Sequence, residues 1–100
     1  MEINKKIYVQ NADKFIYTVA DIELRADGWA NIWLDLVCGI DYINPDESNA
    51  QGYVGKENFV EETEIITCDM MNESITQALE YHGYTVIKEL PQIHNETAGE

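Results

Sequence analysis

The sequence predicts an α+β fold from three features: two long β-rich runs around Ala26-Asp27-Gly28, one apolar stripe at helical spacing from Met71 to His82, and a short β-rich run after Gly83. Asp-Gly between hydrophobic runs is a strong hairpin signal. Apolar residues recurring three and four positions apart mark a helix with one buried face. Together they predict an antiparallel β-meander on a long hairpin (about 15–40), one helix (about 70–82) packed on the sheet and a C-terminal strand (about 84–90).

Lys6 to Gln10 is a short strand candidate, ended by Asn11-Ala12-Asp13. The hairpin runs are Phe15 to Arg25 and Trp29 to Ile40, and their even positions are the more apolar in both: Ile16, Thr18, Ala20, Ile22 and Leu24, then Ala30, Ile32, Leu34, Leu36, Cys38 and Ile40. A two-residue loop would set even against odd and place the two apolar sets on opposite faces. A three-residue loop, Ala26-Asp27-Gly28, pairs Leu24 with Ala30, Ile22 with Ile32 and Ala20 with Leu34, all on one face. Such loops use a type I turn followed by a left-handed residue, which Gly28 supplies without strain. The odd face is acidic and aromatic near the turn, where Asp21 opposes Trp33 among Glu23, Trp29 and Asp35. It becomes apolar further off, where Tyr17 is expected to oppose Val37.

Asp41 to Asn58 reads as a long loop, with a short strand around Tyr53 as the alternative, because Asn44-Pro45-Asp46 is turn chemistry and Gly52 and Gly55 bracket Tyr53-Val54. Thr63 to Cys68 is a strand whose expected buried end is Ile65, Ile66 and Cys68. Asp69 is the expected helix N-cap, since its carboxylate can accept from free backbone amides. Met71, Ile75, Ala78 and Leu79 form the core stripe, set against the face carrying Ile22, Ile32 and Leu34. Gly83 suits the position just past the helix, and Pro91 stops the last strand. Strand, helix and strand from Thr63 to Leu90 leave room for a crossover with parallel strands. Residues 1–91 are thus one domain, and 92–100 are expected to be a flexible polar tail.

The bulk composition narrows the class. A 45% hydrophobic content with 10% aromatics is too rich for a disordered acidic tail. No stretch approaches the ~18 apolar residues of a membrane-spanning helix, and residues 1–20 show no basic stretch leading into an apolar run. Cys38 and Cys68 have no metal-type spacing and are expected to be buried thiols. A cytoplasmic location is the expectation that follows.

Charge is the strongest functional signal. Between Ala26 and Ile87 stand 12 acids and one base, Lys56, a net −11 out of the chain's −13. The first 25 residues balance four acids against four bases. Self-repulsion of this kind destabilises a compact chain but speeds encounter with an oppositely charged partner. Solubility alone is the competing explanation.

Chemistry is harder to find. His82 and His94 have no serine or cysteine at an instructive spacing, and zinc would need four ligands isolated in sequence. Paired carboxylates are abundant enough among 19 acids to arise by chance. Asp41 to Asp46 fails the calcium-loop pattern, and Gly52-Tyr53-Val54-Gly55 resembles no phosphate cradle. No cofactor and no metal are expected. Direct nucleic-acid binding is opposed by the charge, and a negative surface is repelled by anionic lipid.

The sequence therefore predicts an acidic, non-enzymatic inhibitor that blocks a basic, nucleic-acid-processing protein, as a toxin-immunity or phage-type anti-defence protein does, with mimicry of a nucleic-acid backbone as one way to do so. Acids two apart on a strand project from one face ~6.6–6.8 Å apart, near the phosphate step of one strand. The expected contact residues are Asp21, Glu23, Trp29, Trp33, Asp35, Asp46, Glu47, Glu61, Glu62 and Glu64. The alternative is a small assembly or adaptor domain that pairs through the aromatic face of its hairpin, since Trp and Tyr dominate binding hot spots.

Overall fold

The computed structural model of the chain describes residues 6–42, 51–60 and 63–94. Among these, seven strands form one curled, mostly antiparallel sheet with a single helix packed on it. The predicted α+β meander is the observed architecture. In chain order the elements are β1 (Tyr8–Gln10), β2 (Ile16–Leu24), β3 (Trp29–Tyr42), β4 (Gln51–Gly55), β5 (Thr63–Asp69), α1 (Ile75–Tyr81), β6 (Thr85–Ile87) and β7 (Ile93–His94). The sheet order is β6-β1-β2-β3-β4-β7, and β5 also pairs with β3.

The 14-residue β3 organises the sheet. One edge pairs with β2, while the other is divided between β4, opposite Cys38 to Tyr42, and β5, opposite Trp29 to Asp35. Between them the described residues include a 3-10 turn, Lys56–Asn58. The segment expected as a loop over 41–58 is therefore partly strand: β3 runs on to Tyr42 and β4 supplies the strand around Tyr53, while residues 43–50 lie outside the described part. β7 adds a short parallel strand to β4, so two residues of the expected polar tail, Ile93 and His94, pair with the sheet.

The hairpin turn is the three-residue loop that the face argument requires. Arg25 N–H donates to Trp29 O at 2.8 Å and Gly28 N–H to Arg25 O at 3.3 Å, with Gly28 at φ +92°. Leu24 faces Ala30, Ile22 faces Ile32 and Asp21 faces Trp33, as expected. Beyond that the register departs. Leu34 faces Val19, not Ala20, and Tyr17 faces Leu36, not Val37. Ala20 and Val37 are the extra residues of two bulges, each of which shifts the pairing by one. The first bulge turns Val19 and Tyr17 inward: the larger side chains enter the core and Ala20 goes to solvent.

The helix is shorter than its apolar stripe. It begins after Ser74, where Ser74 Oγ accepts from Gln77 N–H at 3.1 Å and Gln77 Oε1 accepts from Ser74 N–H at 2.7 Å. That reciprocal capping box displaces Asp69 from the expected cap, because Ser74-x-x-Gln77 satisfies two free amides at once. Asp69 instead ends β5 and orders the turn that follows. Met71 stands outside the helix at 80% exposure, whereas Ala78 and Leu79 are fully buried and Ile75 packs beside them. Past the helix, Gly83 N–H bonds Glu80 O at 3.0 Å and Tyr84 N–H bonds Leu79 O at 2.9 Å, a Schellman ending. Tyr84 then enters the core next to Tyr17, their rings 5.7 Å apart edge to face.

Four antiparallel steps separate β5 from β6 through β3, β2 and β1, so the two strands are parallel but not adjacent. The crossover has the expected direction, with α1 touching both ends of it. The core gathers Val9, Tyr17, Ile32, Leu34, Leu36, Ile66, Cys68, Ala78, Leu79 and Tyr84. At its margin Phe15 and Phe59 pack edge to face at 5.2 Å over Gly39, where a Cβ would come within 2.5 Å of the Phe15 ring.

Candidate functional site

Directly opposed residues of antiparallel strands share a face, so the pairing of β2, β3 and β5 fixes what each side of the hairpin end presents. The inner side carries Ala30 with Cys68, Ile32 with Ile66, and Leu34 with Glu64. The outer side has four rows centred on β3. Trp29 faces Asp69; Asn31 stands between Glu23 and Thr67; Trp33 stands between Asp21 and Ile65; Asp35 stands between Thr18 and Thr63. Two tryptophans thus occupy one column, two rows apart, with Asp21, Glu23, Asp35 and Asp69 around them. Trp29 is 39% and Ile65 50% exposed.

These carboxylates are held by neutral donors. Asp21 accepts from Ile22 N–H at 2.9 Å, Glu23 from Asn31 Nδ2 at 3.2 Å, and Asp35 from the Thr63 hydroxyl at 3.4 Å. Asp69 accepts from Met71 N–H at 3.2 Å and from Asn72 Nδ2 at 2.8 Å. Among the described residues none of them forms a salt bridge. A salt bridge nearby, Arg25 to Asp27 at 2.6 Å, belongs to the turn.

Of the ten predicted contact residues, the structure brings five together on this face: Asp21, Glu23, Trp29, Trp33 and Asp35. Glu64 is on the opposite side, across from Leu34, because the alternation of β5 that turns Ile66 and Cys68 inward takes Glu64 with them. Asp46, Glu47, Glu61 and Glu62 lie outside the described residues. Two members of the face were not foreseen. Ile65, expected in the core, lies beside Trp33, and Asp69 faces Trp29. Strict period-two alternation counted back from Cys68 would have placed both outside.

Beyond the Trp29–Asp69 row the surface folds into a cleft of about 480 Å³ between the end of β5 and the end of α1. Trp29, Thr67, Asp69, Glu73, Tyr81 and His82 line it.

The thiols are elsewhere. Burial pushes Cys38 from an ordinary 9.0 up to about 11. Cys68 is also raised, first by burial and then by the charges of Glu73 and Asp69, and its thiol lies 3.6 Å from Ser74 O. Both stay protonated at neutral pH, where the thiolate is the nucleophilic form. Among the described residues no group of three or more His, Cys, Asp or Glu is placed to hold a metal ion, and no helix is long and apolar enough to cross a membrane.

No family model matches this chain, and no curated protein or solved structure matches it.

Proposed function

We propose that this chain is a non-enzymatic inhibitor that covers the nucleic-acid-binding surface of a basic protein with the outer face of its β2–β3–β5 end. The observation that carries this reading is the column of Trp29 and Trp33 on an exposed face, ringed by four carboxylates that form no salt bridge among the described residues. Desolvated aromatics set how slowly a complex dissociates, while surrounding charges set how fast it forms and how strongly salt slows it. A toxin-immunity role and a phage-type anti-defence role both fit such a surface, and a cytoplasmic location fits both.

The test is association kinetics with the cognate basic partner, at low and high salt. Neutralising Asp21, Glu23 and Asp35 together is expected to slow association and flatten its salt dependence, while Trp33→Ala speeds dissociation. An association rate indifferent to salt and to the charge removals rejects the inhibitor. Exposed Ile65 beside Trp33 then favours the second reading, an adaptor that pairs through an aromatic and apolar face.

A further inference from the structure

We propose that the cleft beside Trp29 is a seat for one guanidinium group, an arginine side chain of the basic partner. This rests on the reading above and gives that surface a point of specificity. The cleft is lined by two aromatic residues, half-buried Trp29 and exposed Tyr81, and by the acids Asp69 and Glu73. An arginine side chain uses both kinds of group: its planar face stacks on an aromatic ring, and its edge donates in a fork to carboxylate oxygens. An ammonium, a compact and strongly hydrated point charge, uses them less well.

The acids are already in place. Glu73 Oε2 accepts from Asp69 N–H at 3.0 Å, and Glu73 N–H donates to Asp69 O at 2.9 Å, so the two residues brace each other across the turn. Met70 N–H bonds Gly28 O at 3.2 Å, tying that turn to the hairpin loop beside Trp29. The Cys68 thiol, directed at the carbonyls of Glu73 and Ser74, ties it to the core. Little ordering is left for a ligand to impose, which favours binding. Neither carboxylate has a cationic partner among the described residues. On the other side the Tyr81 ring stands edge-on to His82, 5.6 Å away, at the end of α1.

The experiment titrates the isotope-labelled full chain with N-acetyl-arginine amide and follows backbone amides and the Trp29 indole N–H by NMR. N-acetyl-citrulline amide, the neutral isostere, and N-acetyl-lysine amide serve as the other two arms. Arginine is expected to give saturable shifts confined to Trp29, Thr67, Asp69, Glu73 and His82. Citrulline gives none, and lysine binds more weakly. Tyr81→Ala, which removes an exposed ring, weakens arginine by about two- to fivefold. Glu73→Gln weakens it as well while keeping an acceptor for the Asp69 amide, so the turn is retained. Equal shifts with citrulline, arginine shifts spread evenly over Asp21, Glu23 and Asp35, or indifference to both variants overturns the seat. The probe needs no partner, so the two readings fail separately. A salt-indifferent association rejects the inhibitor and leaves the arginine site, and a silent titration beside salt-steered association does the reverse.

Discussion

At the root of the β2–β3 hairpin, Ile16, Tyr17, Leu34, Leu36 and Cys38 are all buried; towards the tip, every β2 residue from Ala20 to Leu24 is exposed. The pairing explains the contrast. Among the described residues β1 accompanies β2 only as far as Thr18, so beyond the Ala20 bulge β2 has one described neighbour, β3. The inner side of β3 stays covered by the helix cluster along its whole shared length, but Ile22 and Leu24 remain 38% and 72% exposed. The root is where burial holds the fold, and the tip is where surface is left over. Asp21 and Glu23 also stand on an edge of β2 that no described strand pairs with, a usual place for charge. Asp35 and Asp69 are not on that edge, so edge protection does not account for them.

The largest effect expected from this contrast is a difference between two leucines. Leu79, 1% exposed and central to the core, should cost ~2–5 kcal/mol when changed to alanine. Leu24→Ala at the tip should cost under ~0.5 kcal/mol, the range of surface substitutions. Urea unfolding of both variants measures this. Equal losses would mean that the tip carries as much of the stability as the root.

A second way to separate the regions is pH. The folded state holds the Cys38 proton up to about 11, whereas an ordinary thiol releases it near 9.0. Its contribution is therefore full below pH 9 and declines as pH rises towards 11. The loss should reach about 2–3 kcal/mol, at 1.36 kcal/mol per unit. Cys68 acts in the same direction. Cys38→Ala, though less stable at pH 7, should lose less between pH 9 and 11. Identical alkaline curves for variant and wild type would assign the loss to other groups.

The sequence made the fold class, the hairpin and its loop legible because face matching allows only an odd loop there. It concealed the bulges. Ala20 and Val37 look like ordinary members of alternating runs, and only the competition of Tyr17 and Val19 for the core expels Ala20. The helix start was misread because a carboxylate at Asp69 resembles a cap as much as Ser74 does, and the reciprocal Gln77 bond decides between them. For the candidate face, charge and tryptophans were readable on the hairpin. Ile65 and Asp69 were legible only through strict alternation about Cys68, which the apolar pair Ile65-Ile66 obscures, and their partners on β3 depend on where β5 docks. The cleft joins residues more than 50 positions apart, Trp29 and Tyr81 among them, and has no local signature.

The two hairpin loops sharpen the comparison at a smaller scale. Ala12-Asp13-Lys14 repeats the bonding of Ala26-Asp27-Gly28: Asn11 N–H donates to Phe15 O at 3.0 Å and Lys14 N–H to Asn11 O at 3.1 Å. Its last residue is also left-handed, with Lys14 at φ 72° where the tip has glycine. Gly28→Val should cost about 1–2 kcal/mol, the strain of a side chain in that region. Lys14→Gly should gain well under ~1 kcal/mol, since relief of strain is partly offset by the freer unfolded chain. Thermal unfolding of the pair checks both signs. A loss in Lys14→Gly would show that the lysine side chain does something in its loop beyond closing it.

A small effect on stability is also expected from deleting Ala20. This residue is exposed, and it lies between the pairs Val19–Leu34 and Asp21–Trp33 without a partner of its own. Without it, inward Val19 is followed directly by outward Asp21, the alternation of an unbroken strand, so the ladder can close with both registers kept. The change in unfolding free energy should stay within ~0.5–1 kcal/mol. Function is expected to respond differently. A bulge bends its strand and increases the local twist, so removing it rotates the tip against the root and re-aims Trp29 and Trp33. The deletion should therefore weaken association with the basic partner while the melting temperature barely moves. If stability instead falls as far as in Leu79→Ala, the bulge is part of what holds the root together, and root and tip are not separable parts of this hairpin.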